Sequence, residues 1–187
     1  FRDELTGLPG RRALNERMQR LGRNYVIAMT DVDHFKKFND THGHDVGDQV
    51  LRLVASKLSK VTGGGRAYRY GGEEFALVFA AKTLEECLPH LEEIRESIAS
   101  YQMHLRNQDS RPKDDQQGRQ RRSGASASVV SVTVSIGVAE RLEQRTPDQV
   151  LKSADQALYS AKGAGRNCVM AFGQNRRGAV RSAEAVD

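Results

Sequence analysis

The 187-residue sequence predicts an α+β domain, an α/β sandwich in which a central, mainly antiparallel sheet is covered by helices. Three observations lead to this prediction. Apolar runs of strand length alternate with segments whose apolar residues recur at helical spacing. Two strand-like runs, 66–70 and 74–80, flank Gly71 and Gly72, a connection typical of an antiparallel hairpin. The chain is also long enough to form one domain with a substantial core.

The first two predicted elements are a helix and a buried strand. Apolar residues at helical spacing, Leu14, Met18 and Leu21, predict the helix over 11–21. The run YVIAMT at 25–30 is apolar without alternation, which is typical of a strand that is buried on both faces.

Two further helices and the hairpin follow. A short helical piece is expected around Phe35–Phe38 in an otherwise polar stretch. A longer amphipathic helix begins at Val46, where apolar residues recur every three or four positions, and the glycines at 63–65 end it. The hairpin comes directly after these glycines, so the strand that leads into RYGGEEF starts at residue 66.

The second half of the chain supplies two helices and two strands. Thr83 and Glu86 have the spacing of a capping box at the start of a helix over 83–101. Three elements close the domain: a strand over 129–138, a helix over 146–162 that is opened by Thr146 and Pro147, and a strand over 167–171.

The domain is expected to span residues 1–172, with 173–187 as a frayed C-terminal tail. Residues 107–127 are polar, rich in Gly, Ser and Arg, and without period, which predicts a long basic loop. The stretch from Arg106 to Gly124 contributes +3 of the formal net charge of +5. Because the positive charge is concentrated there, it does not predict a nucleic-acid-binding surface.

Three carboxylates are expected to meet at one edge of the sheet. Asp31 closes the first core strand, and Glu73 and Glu74 follow the glycine pair of the hairpin. If the two strands are neighbours, these side chains converge, and crowded carboxylates raise one another's pKa. A Mg²⁺ ion relieves this repulsion, since it takes oxygen ligands from one or two carboxylates and from substrate phosphates. The residues therefore suggest a Mg²⁺–nucleotide site, with a solvated hairpin tip as the alternative for GGEE alone.

Five blocks of the sequence carry a resemblance to a known family. They are DELTGLPGRR at 3–12, DVDHFKKFNDTHGHDVGD at 31–48, RYGGEEF at 69–75, VTVSIGVA at 132–139 and ADQALYSAKGAGRN at 154–167. Together they resemble the GGDEF-domain diguanylate cyclases in order and spacing, with GGEEF as a variant of the signature. The family fold is a palm-like sheet related to nucleotidyl cyclases and polymerases, which agrees with the predicted element order.

The resemblance implies an enzyme that condenses two GTP into cyclic di-GMP and releases two pyrophosphates. It implies a homodimer in which each domain holds one GTP, and two Mg²⁺ ions, with Mn²⁺ as a possible substitute. By similarity, the metal ligands are Asp31, the carbonyl of Val32, Glu73 and Glu74. Glu73 and Glu74 are also the catalytic residues, with Glu73 assisting deprotonation of the 3′-hydroxyl. The division of roles between these two carboxylates stays open, because adjacent carboxylates titrate as a coupled set.

The resemblance also places eight residues around the nucleotide. Asn39 and Asp48 match the guanine-binding pair, and an ionised Asp suits guanine because it accepts from N1–H and the 2-amino group. Their structural alternatives are a helix C-cap for Asn39 and a helix N-cap for Asp48. The other residues are Lys36, Lys162 and Arg166 for phosphate, Gly71 and Gly72 for close approach of the backbone, and His44, which is interpreted as structural or pocket-lining. The alternative for Lys162 and Arg166 is that they complement the C-terminus of a helix.

One family motif is absent from the sequence. Many members carry an inhibitory product site, RxxD, but residues 62–65 read TGGG here. We therefore predict no product inhibition through that motif. The second functional hypothesis is a non-catalytic module that binds GTP or cyclic di-GMP, and the third is a palm-fold enzyme that uses ATP.

We expect the domain to be cytoplasmic. Its two cysteines, Cys87 and Cys168, are far apart and without metal-binding spacing, as is typical of a reduced compartment. No apolar run approaches the ~20 residues that span a bilayer. The chain opens at Phe1 instead of Met, so an upstream sensor or dimerisation region is expected to be missing from it. Whether the full-length protein is anchored to a membrane through that region is left open.

Overall fold

The computed structural model describes residues 2–105, 129–142 and 145–173. The predicted basic loop at 107–127 and the tail after residue 173 lie outside these residues. Within them, the helices are α1 (Arg11–Met18), α2 (Phe35–His42), α3 (His44–Ser59), α4 (Leu84–Ser100) and α5 (Pro147–Gly163). The strands are β1 (Tyr25–Val32), β2 (Arg66–Gly71), β3 (Glu74–Ala80), β4 (Met103–His104), β5 (Val129–Val130), β6 (Val134–Glu140) and β7 (Val169–Ala171).

The central sheet has five strands in the order β2-β3-β1-β6-β7. All neighbouring pairs are antiparallel except β6 and β7, which run parallel. The predicted α+β class with a mainly antiparallel sheet is therefore confirmed. All eight residues of β1 are buried, as its unbroken apolar run predicts for a strand covered on both faces.

Helices cover both faces of this sheet. Alternate residues of β1 enter separate core clusters, because successive side chains of a strand point to opposite faces. Val26 and Ala28 pack with residues of α3 and α4, whereas Ile27 and Met29 pack with residues of α1 and α5. The domain is thus a three-layer sandwich with β1 at its centre.

One predicted strand is divided in two. The run 129–138 was expected to be continuous, but β5 pairs with β4 in a separate two-stranded ribbon and β6 joins the main sheet. The division falls where β1 ends, since Val32 is paired with Val134. Residues before Val134 have no β1 residue opposite them, so they leave the sheet. The predicted start of α3 at Val46 is also two residues late, because the helix begins at His44.

Capping boxes are present at two helix starts, and the first of them was predicted from the sequence. The Thr83 hydroxyl accepts from the Glu86 backbone N–H at 3.3 Å, while the Glu86 carboxylate accepts from the Thr83 N–H at 3.0 Å. Thr146 and Gln149 form the same reciprocal pair at the start of α5. These bonds satisfy backbone donors that a helix start otherwise leaves without a partner.

Helix α5 lies directly on strand β6 at Gly137. A Cβ atom at this position would be 2.0 Å from the backbone nitrogen of Leu158 and 2.3 Å from the carbonyl oxygen of Ala154. Only glycine permits so close an approach of two backbones. The contact fixes the height of α5 above the sheet, and with it the position of Lys162 in the last turn of the helix.

Candidate active site

The three predicted carboxylates lie at one edge of the sheet. Asp31 is paired directly with Glu74 across the β1–β3 ladder, and the backbone N–H of Val32 donates to the carbonyl of Glu73 at 3.3 Å. Asp31 is only 4% exposed, whereas Glu73 and Glu74 are half-buried. The condition of the prediction is therefore met: the first core strand and the hairpin are neighbours in the sheet, and a buried carboxylate lies beside two more accessible ones.

The hairpin turn leaves open space above it. Strand β2 ends at Gly71 and β3 begins at Glu74, so Gly72 and Glu73 form the connection in place of the expected Gly71 and Gly72. Gly72 has φ +40°, a backbone conformation that side-chain-bearing residues rarely adopt. Among the described residues, no atom comes within 4 Å of a Cβ built at Gly71 or Gly72. The turn can accordingly be approached by a ligand from outside the chain.

The N-terminal segment anchors this hairpin through Arg69. The Arg69 guanidinium donates to both carboxylate oxygens of Asp3 at 2.9 Å and to the carbonyl of Gly72 at 2.9 Å. Its backbone N–H donates to the carbonyl of Pro9 at 2.9 Å. Next to it, the Arg11 guanidinium lies 4.3 Å from the centre of the Tyr70 ring. The block DELTGLPGRR at 3–12 thus holds the hairpin turn in place through Arg69, a role that the sequence did not predict.

Asp31 carries an ion pair with Lys162. The Lys162 ammonium binds the Asp31 Oδ2 atom, and the other carboxylate oxygen, Oδ1, is buried without a hydrogen-bond partner in the described structure. Burial raises the pKa of Asp31 despite the attraction of Lys162. Burial and the nearby charges of Asp31 and Asp155 likewise raise the pKa of Glu74. The sheet edge therefore holds more negative charge than one ammonium neutralises.

The neighbouring Asp33 has a structural role. Its carboxylate accepts from the hydroxyls of Thr133 and Ser135, each at 2.6 Å, and from the backbone N–H of Asn167 at 3.0 Å. These bonds tie the end of β1 to β6 and to the segment that follows α5. Arg166, one residue earlier in that segment, is exposed and has φ +66°. Asp33 thus holds the segment that carries the predicted phosphate-binding Arg166.

The predicted guanine pair lies where α2 and α3 meet. The Asn39 Oδ1 atom is buried without a hydrogen-bond partner in the described structure, and it faces Gly47, where a Cβ would be only 1.8 Å away. Asp48 follows Gly47 and is half-buried. Neither residue caps a helix, because α2 continues to His42 and α3 begins at His44. The two structural alternatives for these residues are therefore wrong, and the guanine-binding role stays a prediction.

The remaining two predicted residues are exposed. Lys36 lies in the first turn of α2, and His44 is the first residue of α3. No described contact ties either of them to the carboxylates. Their predicted roles therefore depend on a bound nucleotide.

The residue types at the sheet edge fit a hard cation. Within the described ranges, no three His, Cys, Asp or Glu side chains are gathered into one ligand set. Mg²⁺ does not require such a set, since it commonly takes one or two carboxylates and completes its shell with water and substrate phosphates. The unpartnered Oδ1 atom of Asp31, opposite Glu74 in the ladder, is an oxygen suited to such an ion.

Comparison with known proteins identifies the family of this fold and site. The family described as "Diguanylate cyclase, GGDEF domain" matches residues 1–168. The chain belongs to this family. The prediction drawn from the five sequence blocks is thereby confirmed.

Curated relatives and solved structures agree with this assignment. The chain is 40% identical over 172 residues to the diguanylate cyclase VdcA of Vibrio cholerae, covering 90% of the chain and 46% of the relative. It is 37% identical over 177 residues to the response regulator PleD of Caulobacter vibrioides, covering 90% and 35%. The GGDEF domain of DgcB from Caulobacter crescentus, solved in complex with c-di-GMP, superposes with a TM-score of 0.77 at 36% identity, covering 91% of this chain and 92% of that one.

The chain spans less than half the length of these two curated relatives. In the part of the chain that the structure describes, no helix combines the length and the apolar character needed to cross a bilayer.

Proposed function

We propose that residues 1–172 form a diguanylate cyclase domain, which condenses two GTP into cyclic di-GMP and releases two pyrophosphates. One observation carries the proposal: Asp31 is paired in register with Glu74 at the sheet edge, directly beside the open turn at Gly72. The pairing supplies acidic ligands for a metal, and the open turn supplies space for a phosphate chain.

Different residues around this edge bind the guanine and the triphosphate of GTP. Asn39 and Asp48 bind the guanine between α2 and α3, with Asp48 accepting from N1–H and the 2-amino group. The triphosphate lies over Gly71 and Gly72 and is held by cations, namely Lys36, Lys162 and Arg166. His44 lines the pocket at the start of α3. An enzyme built in this way rejects adenine, because the Asp48 carboxylate would be left without a donor.

The reaction joins nucleotides that are held by two copies of the domain. The 3′-oxygen of one GTP forms a bond with the α-phosphorus of the other, and the bond from that phosphorus to the β-phosphate oxygen breaks. The proton of the 3′-hydroxyl passes to Glu73, and pyrophosphate leaves with the electron pair of the broken bond. A second, reciprocal step closes the ring. Positioning and charge stabilisation account for most of the catalysis in such phosphoryl-transfer chemistry.

Metal binding is proposed at Asp31, the carbonyl of Val32, Glu73 and Glu74. We propose two Mg²⁺ ions, with Mn²⁺ able to replace them. When bound, such a pair stabilises negative charge on the attacking and leaving oxygens. The chain's own contribution is to hold these oxygens rigidly on β1 and on the hairpin anchored by Arg69.

The substrate and the symmetry of the reaction set two further conditions. Turnover requires a homodimer, since each domain holds only one of the two nucleotides. We also place the domain in the cytoplasm, where GTP is available.

The test is to incubate the concentrated domain, dimerised by a helix fused at its N-terminus, with GTP and Mg²⁺ and to detect cyclic di-GMP by mass spectrometry. We expect product with GTP and none with ATP. GTP binding without turnover at high protein concentration would favour the non-catalytic binding module. Product from ATP would contradict the assignment of Asn39 and Asp48.

A further inference from the structure

We infer that Lys162 is an exchangeable counter-ion: it neutralises Asp31 in the nucleotide-free domain and transfers to the triphosphate when a metal ion takes its place. This inference rests on the proposed function and assigns a coupling role to one residue of the same site. It makes metal and nucleotide bind cooperatively, each weakly alone and tightly together.

The contact at Asp31 is the first part of the argument. The Asp31 side chain is 6% exposed, and its Oδ2 atom binds the Lys162 ammonium. An ionised carboxylate at such depth needs a cation, because its desolvation is otherwise uncompensated. In the domain as described, Lys162 is that cation. A metal ion approaching Asp31 must therefore compete with the ammonium for the same carboxylate.

The freedom of Lys162 is the second part. Its side chain is 34% exposed, although Asp31 is almost completely buried. The residue lies in the last turn of α5, which ends at Gly163. The exposed Arg166 follows four residues after Lys162. The ammonium can therefore turn from the buried carboxylate toward solvent without disturbing the helix, because a lysine head moves on a flexible four-carbon stem.

The balance of charge is the third part. The carboxylates that act on this edge are those of Asp31, Glu73, Glu74 and Asp155, and Asp33 adds its charge nearby. Within the described residues, the ammonium of Lys162 attracts the carboxylates of both Asp31 and Glu74. A divalent ion alone would displace this ammonium and leave it next to another cation. A triphosphate alone would bring more negative charge to an already acidic edge.

Both penalties disappear when metal and nucleotide bind together. The metal ion replaces the ammonium on the carboxylates, and the released ammonium pairs with the phosphates. Each ligand then improves the affinity for the other, and the improvement is reciprocal by thermodynamic necessity. A purely structural ion pair predicts the opposite outcome, in which Lys162 stays on Asp31 throughout and its removal weakens the site.

The test compares Lys162→Met with Lys152→Met, which removes an exposed lysine from the same helix away from Asp31. Free Mn²⁺ is measured by electron paramagnetic resonance during titration of the nucleotide-free protein. We expect Lys162→Met to bind Mn²⁺ about tenfold more tightly than the wild type, within the usual range of coupling between sites. Lys152→Met should behave as the wild type. Unchanged or weaker Mn²⁺ binding by a folded Lys162→Met protein would overturn the inference.

The nucleotide dependence gives a second readout. A non-hydrolysable GTP analogue should raise the Mn²⁺ affinity of the wild type about tenfold, and that of Lys162→Met by much less. Equal enhancement in the two proteins would contradict the exchange.

A measurement on the wild type covers the case in which Lys162→Met does not fold. The ammonium resonance of Lys162, observed by ¹H–¹⁵N NMR, should move when Mg²⁺ and the GTP analogue are added together. Either ligand alone should change it little. A resonance that stays unchanged with both ligands bound would show that Lys162 never leaves Asp31.

The outcomes separate this inference from the proposed function. If the domain makes cyclic di-GMP but Lys162→Met binds Mn²⁺ no better, the cyclase assignment stands and the exchange is wrong. If Lys162→Met binds Mn²⁺ more tightly but no product forms from GTP, the competition at Asp31 is real and the cyclase assignment is wrong.

Discussion

Two glycine turns flank strand β2, and their surroundings are opposite. In the turn before the strand, a Cβ at Gly63 would lie 2.4 Å from the His90 ring, and one at Gly65 would lie 2.6 Å from the Phe79 ring. In the turn after it, no described atom comes within 4 Å of a Cβ at Gly71 or Gly72. The first turn is closed by side chains at Gly63 and Gly65, although not at Gly64, whereas the second is open at both of its glycines.

The difference shows that glycine is needed in the two turns for different reasons. Packing inside the domain accounts for Gly63 and Gly65, because larger residues would collide with His90 and Phe79. Packing does not account for Gly71, because a Cβ there would meet no described atom within 4 Å. Glycine at this position is explained by an external group that approaches the backbone closely, which we propose to be the phosphate chain of GTP. The closed turn includes residues 62–65, where the sequence was predicted to lack the inhibitory motif, and an aspartate at position 65 would have to displace Phe79.

The largest expected effect is the loss of turnover when a carboxylate at the open turn is neutralised. Glu73→Gln should lower the rate of cyclic di-GMP formation by at least about 100-fold, since it removes the proposed proton acceptor. The matched control is Glu93→Gln, which alters an exposed glutamate near the closed turn. Its rate should equal that of the wild type. An equal loss of turnover in both variants would show that the open turn has no special role in catalysis.

The next effect is a loss of stability at the closed turn. Gly65→Ala should lower the free energy of unfolding by about 1–3 kcal/mol, because the new methyl group overlaps the Phe79 ring. Urea unfolding followed by circular dichroism measures this change. The folded variant should keep its rate of turnover. A fully stable Gly65→Ala would show that Phe79 moves aside at no cost.

A smaller effect, on turnover alone, is expected at the open turn. Gly71→Ala should leave the free energy of unfolding within about 0.5–1 kcal/mol of the wild type, since its Cβ meets no described atom. Turnover should fall about tenfold, because the methyl group enters the space proposed for phosphate. Gly22→Ala is the control, as a Cβ there also meets nothing within 4 Å and the residue lies outside the proposed site. If both variants are fully active, the open turn does not contact the nucleotide.

The smallest effect concerns the Asp3–Arg69 anchor of the open turn. Burial alone would raise the pKa of Asp3, but hydrogen bonds from Thr6 and Arg69 outweigh it and hold the pKa below its ordinary value. Such a carboxylate stabilises the fold above its unfolded pKa of about 3.9, and the contribution is lost as the pH falls through the lower folded value.

Asp3→Asn should therefore cost about 1–2 kcal/mol of stability at pH 6–8. The difference from the wild type should begin to shrink below about pH 4 and should disappear only below the folded pKa of Asp3. Urea unfolding across this pH range measures it, with the exposed neighbour substitution Glu4→Gln as the control. A difference that stays constant down to pH 3 would mean that the Asp3 charge is not the source of the stabilisation.

The sequence was informative wherever a local pattern decided the structure. The apolar run of β1 and the glycine pair of the hairpin located both strands. That Asp31 and Glu74 meet was predicted only on the condition that these strands are neighbours, which they are. The capping residues Thr83 and Thr146 were likewise identified, because a helix start depends on residues only three positions apart.

The sequence did not predict which residues far apart in the chain contact one another. Lys162 was predicted to bind the triphosphate, and nothing in its surroundings indicated a pairing with Asp31, 131 positions away. The bidentate contact between Asp3 and Arg69 joins residues 66 positions apart. The division of 129–138 into two strands also followed from where β1 ends. Such choices depend on the assembled fold, because several partners are compatible with the same residue type.

The close contact of Gly137 with helix α5 links interior architecture to the chemistry at the sheet edge. Any larger residue at this position would push the helix outward and carry Lys162 away from Asp31. A mutational survey that scores protein abundance should therefore find position 137 intolerant, because the packing of α5 is lost. A survey that scores cyclic di-GMP formation should find the same, because Lys162 moves away from Asp31. Gly137 touches neither substrate nor carboxylate. It nevertheless limits which substitutions the domain accepts, because it determines where α5 and Lys162 lie.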